Sequence, residues 1–511
     1  MTSLTKWKKV RVVLVLGAAT AISAHAQTFN TLVDFEASDG AYPGAGLIQG
    51  RDGDLYGTTS DYGMYAAGTV FKITREGALT TLYNFCGQVF CPDGAYPIGG
   101  LVLGTDGNFY GTTIGGGSEV CFEDGFPCGT VFRISPAGAL TTLYTFDGTN
   151  GDAPFAGLIQ AKDGNFYGTT YDGGAYGGGT VFKITREGNL TTLYSFCSQP
   201  KCADGYVLKG GVVQGVDGNF YGTTEFGGTG ATCLLDYYYG CGTVFKLTPE
   251  GTLTTLHSFC VQQTPGNPLE AICPDGGEPY AGLARAIDGS FYGTTVGTVF
   301  RIAHEGKLTT LYTFCLTQAN CGVEPQGALI QATDGNFYGT TFFGGVTTGC
   351  ASGGCGTVFK ITPHGTLTIL HDFDNTDGAN PASGLLQATS GNLYSTTYWG
   401  GSSSECGPDG CGTVFRLATG LGPSVAFVQA AGKVGQTAQI LGKGFTGTTG
   451  VSFNGTPASF TVVSDTFEKA TVPAGATTGY VTVTTPSRTL TSNVPFRVLK
   501  EYRGATDRGM K

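Results

Sequence analysis

Apolar and polar residues alternate with a period of two through a segment that recurs along the chain, and this period predicts β-strands. The most complete copy runs from Asp163 to Phe196 and contains the motifs D-G-N-F-Y-G-T-T and G-T-V-F-K-I. Copies of the first motif start at Asp52, Asp106, Asp163, Asp217, Asp288, Asp334 and Ser390. Copies of the second start at Gly68, Gly129, Gly179, Gly242, Gly297, Gly356 and Gly412. The chain therefore contains seven repeats, and Val, Thr, Tyr and Phe fill their strands.

Each repeat predicts four strands. A short apolar run such as residues 157–160 precedes an Asp-Gly pair, which favours a tight hairpin turn because Gly accepts a positive φ. N-F-Y-G-T-T, a loop of variable length, G-T-V-F-K-I, a short turn and L-T-T-L-Y-S-F follow. A unit of about 50 residues with several short strands is typical of a β-propeller.

The two ends of the repeat array complement each other. Residues 29–35 resemble a fourth strand that lacks its first three, and the last repeat ends at Leu417 without a fourth strand. Pairing of these two ends would close the array and remove its exposed edges. The sequence therefore predicts an all-β fold, a seven-bladed β-propeller closed by the N-terminal strand, followed by a small immunoglobulin-like β-sandwich.

The chain divides into five segments. Residues 1–26 have a basic start, an apolar core and a small-residue cleavage site, so we interpret them as a signal peptide. The propeller is expected over 27–418 and a Gly/Pro linker over 419–423. Residues 424–499 contain no cysteine and have short Val/Thr/Phe-rich strands, which indicate a β-sandwich. Residues 500–511 are polar and are expected to be disordered.

Charge excludes two classes of partner. The formal net charge is −10, and removal of residues 1–26 would take away four basic residues and no acidic one, which leaves −14. A chain so acidic lacks the basic footprint of a nucleic-acid-binding protein and would be repelled by an anionic membrane surface. No stretch after the signal peptide approaches the ~20 apolar residues of a membrane span. We expect an exported monomer that is secreted, periplasmic or associated with the cell surface.

Sixteen cysteines form eight close pairs in the sequence, and an exported chain with an even number points to disulfides between neighbours. The expected pairs are Cys86–Cys91, Cys121–Cys128, Cys197–Cys202, Cys233–Cys241, Cys260–Cys273, Cys315–Cys321, Cys350–Cys355 and Cys406–Cys411. Every pair falls in a second-to-third or a fourth-to-first connection, which lie on the same face of a propeller. One face should therefore carry long, disulfide-stapled loops, and variable loops on a rigid scaffold are where binding usually occurs.

The motifs L-Y-G-T-T, G-T-V-F-K-I and L-T-T-L-Y-S-F resemble the GloVer tandem repeat family of bacterial exported proteins, over about residues 29–417. More distantly, D-G-N-[FL]-Y-G-T is similar to the blades of two-component-regulator-type propellers. The segments V-S-F-N-G-T-P-A-S-F and V-P-A-G-A-T-T-G-Y-V resemble an IPT/TIG immunoglobulin-like domain over about 423–499. Neither resemblance supplies catalytic residues.

Residues that occur in every repeat are interpreted as structural, including the Tyr of F-Y-G-T-T. A Gln occupies the innermost-strand position in five repeats, and Leu103 and Arg285 replace it in the second and fifth. We expect the Gln side chains to brace the ring rather than to line a channel.

Aromatic residues in the stapled loops are the candidate ligand contacts, because planar rings with a polar edge suit sugar stacking or a protein surface. The fifth repeat has almost no second-to-third loop, so a notch is expected beside the loop of the fourth. Its predicted lining is Tyr237, Tyr238 and Tyr239, with Phe343 on the far wall and Trp399 farther round. The predicted function is non-catalytic binding, of carbohydrate or of an extracellular protein surface. Covering of the loop backbone by these rings, and a purely structural adhesion or spacer role, remain alternatives.

Signals for an enzyme are few, since no G-x-S-x-G, H-E-x-x-H or phosphate-binding glycine loop is present. A glycan hydrolase or lyase stays open because seven blades can bring carboxylates together on one axis. No cofactor is predicted. Three connections carry F-[DE]…D where others carry F-C…C. Their oxygens could hold Ca²⁺, but Asx-turns would explain them without a metal, and we favour that interpretation. The residues are Glu36, Asp39, Asp147, Asp152, Asp374 and Asp377.

Overall fold

A computed structural model describes residues 27–117, 128–230, 240–261, 273–314, 323–345, 350 and 353–499 of the protein. Within these ranges the regular structure is β-strand, apart from one 3-10 helix at Pro200–Cys202. The fold is therefore all-β, as predicted.

The repeats form seven four-stranded antiparallel sheets, which we number sheet 1 to sheet 7 in chain order. Strand β1 is Thr28–Asp34. Sheet 1 contains β2 (Ile48–Gln49), β3 (Leu55–Thr59), β4 (Thr69–Ile73) and β5 (Leu79–Asn84). Sheet 2 contains β6 (Val102–Leu103), β7 (Phe109–Thr113), β8 (Thr130–Ile134) and β9 (Leu140–Thr145). Sheet 3 contains β10 (Ile159–Gln160), β11 (Phe166–Thr170), β12 (Thr180–Ile184) and β13 (Leu190–Ser195).

Sheet 4 contains β14 (Val213–Gln214), β15 (Phe220–Thr224), β16 (Thr243–Leu247) and β17 (Leu253–Ser258). Sheet 5 contains β18 (Ala284–Arg285), β19 (Phe291–Thr294), β20 (Thr298–Ile302) and β21 (Leu308–Thr313). Sheet 6 contains β22 (Ile330–Gln331), β23 (Phe337–Thr341), β24 (Thr357–Ile361) and β25 (Leu367–Asp372). Sheet 7 contains β26 (Leu386–Gln387), β27 (Leu393–Thr397) and β28 (Thr413–Ala418), together with β1.

The predicted pairing of the two ends of the array is confirmed. Strand β1 lies antiparallel to β28, with Thr28 opposite Ala418 and Asp34 opposite Thr413. The ring of Phe29 packs between the neighbouring sheets, 3.6 Å from the His371 ring centroid and 5.4 Å from that of Phe415. The first strand of the repeat region is thus the fourth strand of its last sheet.

The residues of the Asp-Gly-Asn-x-Tyr motif are explained by the turn that they form. In sheet 3 the Asp163 carboxylate accepts the Asn165 backbone N–H at 3.1 Å and the Tyr167 hydroxyl at 2.8 Å, while Gly164 adopts a φ of 85°. The Tyr ring then stacks on Phe220 of the next sheet at 4.1 Å. Such aromatic pairs contribute roughly 0.5–1.5 kcal/mol each beyond burial of their area. The interpretation of this Tyr as structural is therefore confirmed.

Threonine hydroxyls join each sheet to the next. The first Thr of T-T donates to a backbone carbonyl of the following repeat, over 3.0–3.4 Å, in all seven sheets. In sheet 7 the donor is Thr396, and its acceptors are the carbonyls of Pro43 and Ala45 before sheet 1. The same bond therefore links neighbours in sequence and the two ends of the array.

Glutamine side chains make a second set of bonds between sheets. Each of five Gln carboxamides accepts a backbone N–H from the preceding sheet, as Gln214 accepts the Lys162 N–H at 3.2 Å. The bond from Thr389 to Gln49 again joins sheet 7 to sheet 1. The expected bracing role is confirmed by these contacts.

The C-terminal domain, residues 424–499, has two four-stranded sheets and a parallel pair of short strands. Its strands are β29 (Ala426–Phe427), β30 (Ala431–Lys433), β31 (Thr437–Leu441), β32 (Gly450–Phe453), β33 (Thr456–Ala458), β34 (Phe460–Ser464), β35 (Phe467–Thr471), β36 (Val481–Thr484), β37 (Thr489–Thr491) and β38 (Arg497–Leu499). The sheet orders are β29-β31-β35-β34 and β33-β32-β36-β37, and β30 pairs with β38. Both sheets contribute to one core, which includes Ile440, Phe445 and Val483.

The C-terminal domain packs against the tight-turn face of the repeats. Arg51 donates to the Thr105 carbonyl at 2.9 Å and to the Gln439 side chain at 2.6 Å, and its guanidinium lies 4.8 Å from the centre of the Phe467 ring. Gln429 donates to the Ala161 carbonyl at 2.9 Å. The opposite, stapled face is left free of these contacts.

Five of the predicted disulfides are present in the described residues: Cys86–Cys91, Cys197–Cys202, Cys260–Cys273, Cys350–Cys355 and Cys406–Cys411. Cys128 and Cys241 are also disulfide-bonded. Cys121, Cys233, Cys315 and Cys321 lie outside the described residues. Neighbour pairing thus holds wherever both partners are described.

Candidate functional site

A cavity of about 370 Å³ opens on the stapled face where segments from all seven repeats meet. We call it the mouth. Its inner lining is formed by residues 44–46, 98–100, 155–157, 209–211, 280–282, 326–328 and 382–384. The segments are rich in Gly because their backbones touch. A Cβ on Gly157, for example, would lie 2.5 Å from the carbonyl oxygen of Gly100.

Each of these segments begins beside a residue with an unusual backbone conformation. The seven residues have φ between 49° and 61°, a region that non-glycine residues seldom adopt. They are Tyr42, Tyr96, Ala153, Val207, Glu278, Glu324 and Asn380. Backbone hydrogen bonds fix them, as when the Glu278 N–H donates to the Cys241 carbonyl at 2.8 Å. Because this conformation occurs in every repeat, it belongs to the fold, and it sets the course of the segments that line the mouth.

One side of the mouth holds a buried ion pair. Lys209 Nζ lies 2.8 Å from Glu225 Oε1, and the two side chains are only 16% and 3% exposed. The same Nζ sits 3.8 Å from the centre of the Tyr280 ring, which makes a cation–π contact. Lys209 precedes the first strand of sheet 4, Glu225 follows its second strand and Tyr280 precedes sheet 5, so the packing of these two sheets brings the three residues together.

Three carboxyl groups lie close to Lys209 and Tyr280, the two residues that line this side of the mouth. Burial raises the pKa of Glu225, and the Lys209 ammonium offsets part of that effect. Burial also raises the pKa of Glu278, with further contributions from the charges of Glu225 and Glu324. Glu324 has its pKa raised by burial as well. Burial, followed by these carboxylates, raises the pKa of the Tyr280 phenol. Groups perturbed in this way inside a cleft are candidates for binding or proton transfer.

The other side of the mouth is aromatic. Tyr42 stacks on Tyr398 with ring centroids 5.2 Å apart, and Tyr398 contacts Trp399 at 5.5 Å. Phe342 reaches Trp399 edge-on at 5.8 Å and Phe343 at 4.8 Å. The rings are half-buried. The mouth therefore combines an apolar aromatic wall with a charged wall, which is the usual make-up of a ligand pocket.

The predicted ligand contacts are placed only in part. Tyr237, Tyr238 and Tyr239 lie outside the described residues. Phe343 and Trp399 contact Phe342, which lines the mouth, but they are not themselves among its lining residues. The short second-to-third connection of sheet 5 is present, with Thr295–Thr298 closed by a hydrogen bond between their side chains. Glu278 precedes sheet 5 in the chain and Glu324 follows it, so these two residues flank the sheet that has the short connection.

The charged wall was not predicted from the sequence. It consists of Lys209, Glu225, Glu278, Tyr280 and Glu324, and at the positions of its four charged residues the remaining repeats have uncharged residues. The sequence does contain a signal for them: E-P-Y and E-P-Q replace the Y-P-G and Y-P-I of the first two repeats. An alignment of the seven repeats would have identified the charged wall, if it had been used to find residues that depart from the shared pattern.

Two of the six residues of the Ca²⁺ hypothesis, Asp147 and Asp374, use their carboxylates in local turns. The Asp147 carboxylate accepts the Thr149 N–H at 3.0 Å and its hydroxyl at 2.7 Å. Asp374 makes the same two contacts with Thr376. Asp377 lies 2.7 Å from the His371 ring nitrogen. For Asp152, burial raises the carboxyl pKa to about 6. The Ca²⁺ hypothesis stays a prediction.

The repeats match a known family along most of the chain. Residues 15–125, 125–296 and 295–451 each match the Gloeobacter/Verrucomicrobia repeat. The chain belongs to this family. Membership agrees with the resemblance drawn from the repeat motifs, and a comparison with curated proteins finds no match.

Several solved structures have a similar fold. Virginiamycin B lyase from Staphylococcus aureus is 14% identical, and the alignment covers 77% of this chain and 99% of the lyase, with a TM-score of 0.48. A fungal alcohol oxidase of the AA5 family, in complex with copper, is 11% identical over 92% of this chain and 98% of its own, with the same TM-score. A luciferin-regenerating enzyme is 13% identical, and the alignment covers 64% of this chain and 92% of the enzyme, with a TM-score of 0.38. At these identities and scores, the activities of those proteins carry no argument about this chain.

Among the described residues, no helix is long and apolar enough to cross a membrane.

Proposed function

We propose that this member of the Gloeobacter/Verrucomicrobia repeat family is an exported protein whose seven sheets are the blades of a closed β-propeller. The bonds from sheet 7 to sheet 1 and the pairing of β1 with β28 support the closure. Residues 1–26 are its signal peptide, and the C-terminal domain is an IPT/TIG-like sandwich. Its disulfides fit an oxidising compartment.

The propeller binds carbohydrate at the mouth without cleaving it. The observation that carries this proposal is the pairing of an aromatic wall with the Lys209–Glu225 ion pair across one cavity. Aromatic faces stack on the apolar faces of sugar rings, while charged and amide groups satisfy sugar hydroxyls. Tyr237, Tyr238 and Tyr239 follow Glu225 in the same connection of sheet 4, and we propose that they extend the binding surface, with Phe343 and Trp399 opposite.

A panel of neutral and acidic oligosaccharides tests this proposal on the mature, oxidised protein. We expect saturable binding of at least one glycan. Replacement of Tyr237, Tyr238 and Tyr239 by Ala should abolish that binding and leave thermal stability nearly unchanged. An unfolded or normally binding triple variant contradicts the tyrosine assignment. If the folded protein binds none of the oligosaccharides, the result overturns carbohydrate binding and favours the structural adhesion or spacer role.

Glycan cleavage is the second candidate, and the raised pKa of Glu225, Glu278 and Glu324 favours it specifically. A protonated carboxyl beside an ionised one is the pair that glycoside hydrolysis uses. Release of reducing ends from a bound glycan by the wild type, and its loss in Glu278→Gln, would establish cleavage. Binding without release of products, measured over a day at pH 5 and pH 7, would reject it.

A further inference from the structure

A second cavity, of about 330 Å³, lies on the far side of the molecule from the mouth, between the repeats and the C-terminal domain. Sheets 3, 4 and 5 form one wall, and residues 428–431 and 494–497 contribute to the other. We call it the cleft. Neither the family nor the proposed function at the mouth makes use of it.

Three basic side chains line the cleft. Lys162 follows the inner strand of sheet 3, Arg285 lies on the inner strand of sheet 5, and Arg497 begins the last strand of the C-terminal domain. None of the three forms a salt bridge with any residue in the described ranges. Arg497 Nη1 is shielded from solvent and makes no hydrogen bond within the same ranges. Like charges brought together without a counterion repel each other.

Arg285 stands where five other sheets have the bracing Gln. A carboxamide there accepts a backbone N–H from the preceding sheet, as Gln331 accepts the Ile287 N–H at 2.8 Å. A guanidinium has no acceptor atom, so it cannot make this bond. Sheet 5 therefore gives up a structural contact and places a cation in the cleft instead, beside the cations of two other elements.

The pKa and the hydrogen bonds of Lys162 show that the cleft has, among the described residues, little negative charge to balance its cations. Burial, followed by the Arg497 and Arg285 guanidinium groups, lowers the pKa of Lys162 to about 8, against a smaller opposing effect of Asp217. The Asp217 carboxylate is already bonded to the Tyr221 hydroxyl at 2.8 Å and to the Asn219 amide at 2.6 Å. The Lys162 ammonium donates to a neutral acceptor, the Gly215 carbonyl, at 3.1 Å.

We propose that the cleft binds a small multivalent oxyanion, which Lys162, Arg285 and Arg497 hold between the repeats and the C-terminal domain. Guanidinium groups bind carboxylate, phosphate and sulfate through paired hydrogen bonds, and all three ligand types share this chemistry. A small anion fits better than a polyanion, because a chain of net charge −10 repels an extended one. The bound anion would bridge two domains and stabilise their contact.

Calorimetric titration of the mature protein with phosphate, sulfate and citrate, at constant ionic strength and pH 7, tests the proposal. We expect at least one to bind with 1:1 stoichiometry, and the preferred anion distinguishes phosphate, sulfate and carboxylate ligands. Affinity for sulfate, whose charge stays constant over this range, should fall between pH 7 and pH 9 as Lys162 loses its proton.

The matched variants are Arg285→Gln and Arg301→Gln. The first restores the residue that five other sheets carry, so it should fold normally and weaken binding at least tenfold. The second removes an exposed sheet 5 cation that pairs with Asp288 on the outer side of the turn, and it should bind as the wild type does. Absence of binding by all three anions, or equal binding by Arg285→Gln and wild type, would overturn the proposal. Glycan binding at the mouth is measured separately, so either site can fail alone.

Discussion

Glu468 is a fully buried acid in the middle of β35, opposite Ile440 of β31 and Val462 of β34. Burial raises its pKa to about 7, and the Thr448 hydroxyl offsets only part of that effect. The unfolded chain ionises this group near its ordinary pKa of 4.5, while the folded chain keeps the proton until about pH 7. Stability is therefore lost as the pH rises from 4.5 through 7, on the order of 3 kcal/mol in total.

Glu468→Gln should remove this pH dependence and stabilise the C-terminal domain above pH 7 by about 2 kcal/mol. Urea unfolding of wild type and variant at pH 5 and pH 8 measures it. Glu250→Gln, at an exposed turn position, is the control and should change neither value. Equal pH dependence in wild type and Glu468→Gln would show that the buried acid is not the cause.

Single residues also show how far the sequence could predict the protein. Tyr167 and Gln214 could be assigned structural roles because each recurs at one place in most repeats. The surroundings of Glu278 could not be predicted, because they depend on Glu225, Lys209 and Glu324, which the packing of neighbouring sheets brings near. Arg285 was visible as a departure from the Gln pattern, but Arg497 meets it through packing of the C-terminal domain, which no periodicity encodes.

At the scale of elements, β1 holds the two ends of the repeat array together. Deletion of residues 27–36 would expose the edge of β28 and the aromatic packing around Phe415. We expect the variant either to misassemble or to be less stable by on the order of several kcal/mol. Calorimetry should then show a melting temperature at least about ten degrees lower than that of the wild type. Phe29→Ala, which keeps the strand, should cost about 2 kcal/mol. A deletion variant as stable as the wild type would exclude closure through β1.

The stapled loops give a second prediction for elements. Peptide mapping of the oxidised protein should find Cys121–Cys128, Cys233–Cys241 and Cys315–Cys321 in addition to the five described bridges. Small rings of this kind add only ~2 kcal/mol each, so their main effect is to stiffen the connections around the mouth. Any bridge between cysteines of different repeats would contradict neighbour pairing.

The three F-[DE]…D connections give a third prediction at the scale of elements. Because Asp147 and Asp374 already bind their own turns, we expect 1 mM Ca²⁺ to leave the melting temperature of the EDTA-treated protein unchanged. Mg²⁺ at the same concentration is the control. A rise with Ca²⁺ alone would instead support the metal site, with Glu36, Asp39, Asp152 and Asp377 as further ligands.

At the scale of the whole molecule, the two faces of the repeats make different contacts. The C-terminal domain covers part of the tight-turn face through Arg51 and Gln429, which leaves the stapled face open for a ligand. The repeat pattern allowed prediction of the sheets, the closing strand and the stapled face. The position of the C-terminal domain depends on contacts between unlike surfaces and could not be predicted.

The central claim is that the mouth binds a glycan through its charged and aromatic walls. The direct measurement is the dissociation constant of the best-binding oligosaccharide for wild type, Lys209→Met and Lys183→Met. Lys209 is in the mouth, whereas Lys183 pairs with Asp163 at a turn on the opposite face. The account predicts at least tenfold weaker binding by Lys209→Met and no change for Lys183→Met, with both variants folded. Equal dissociation constants for all three proteins would contradict it.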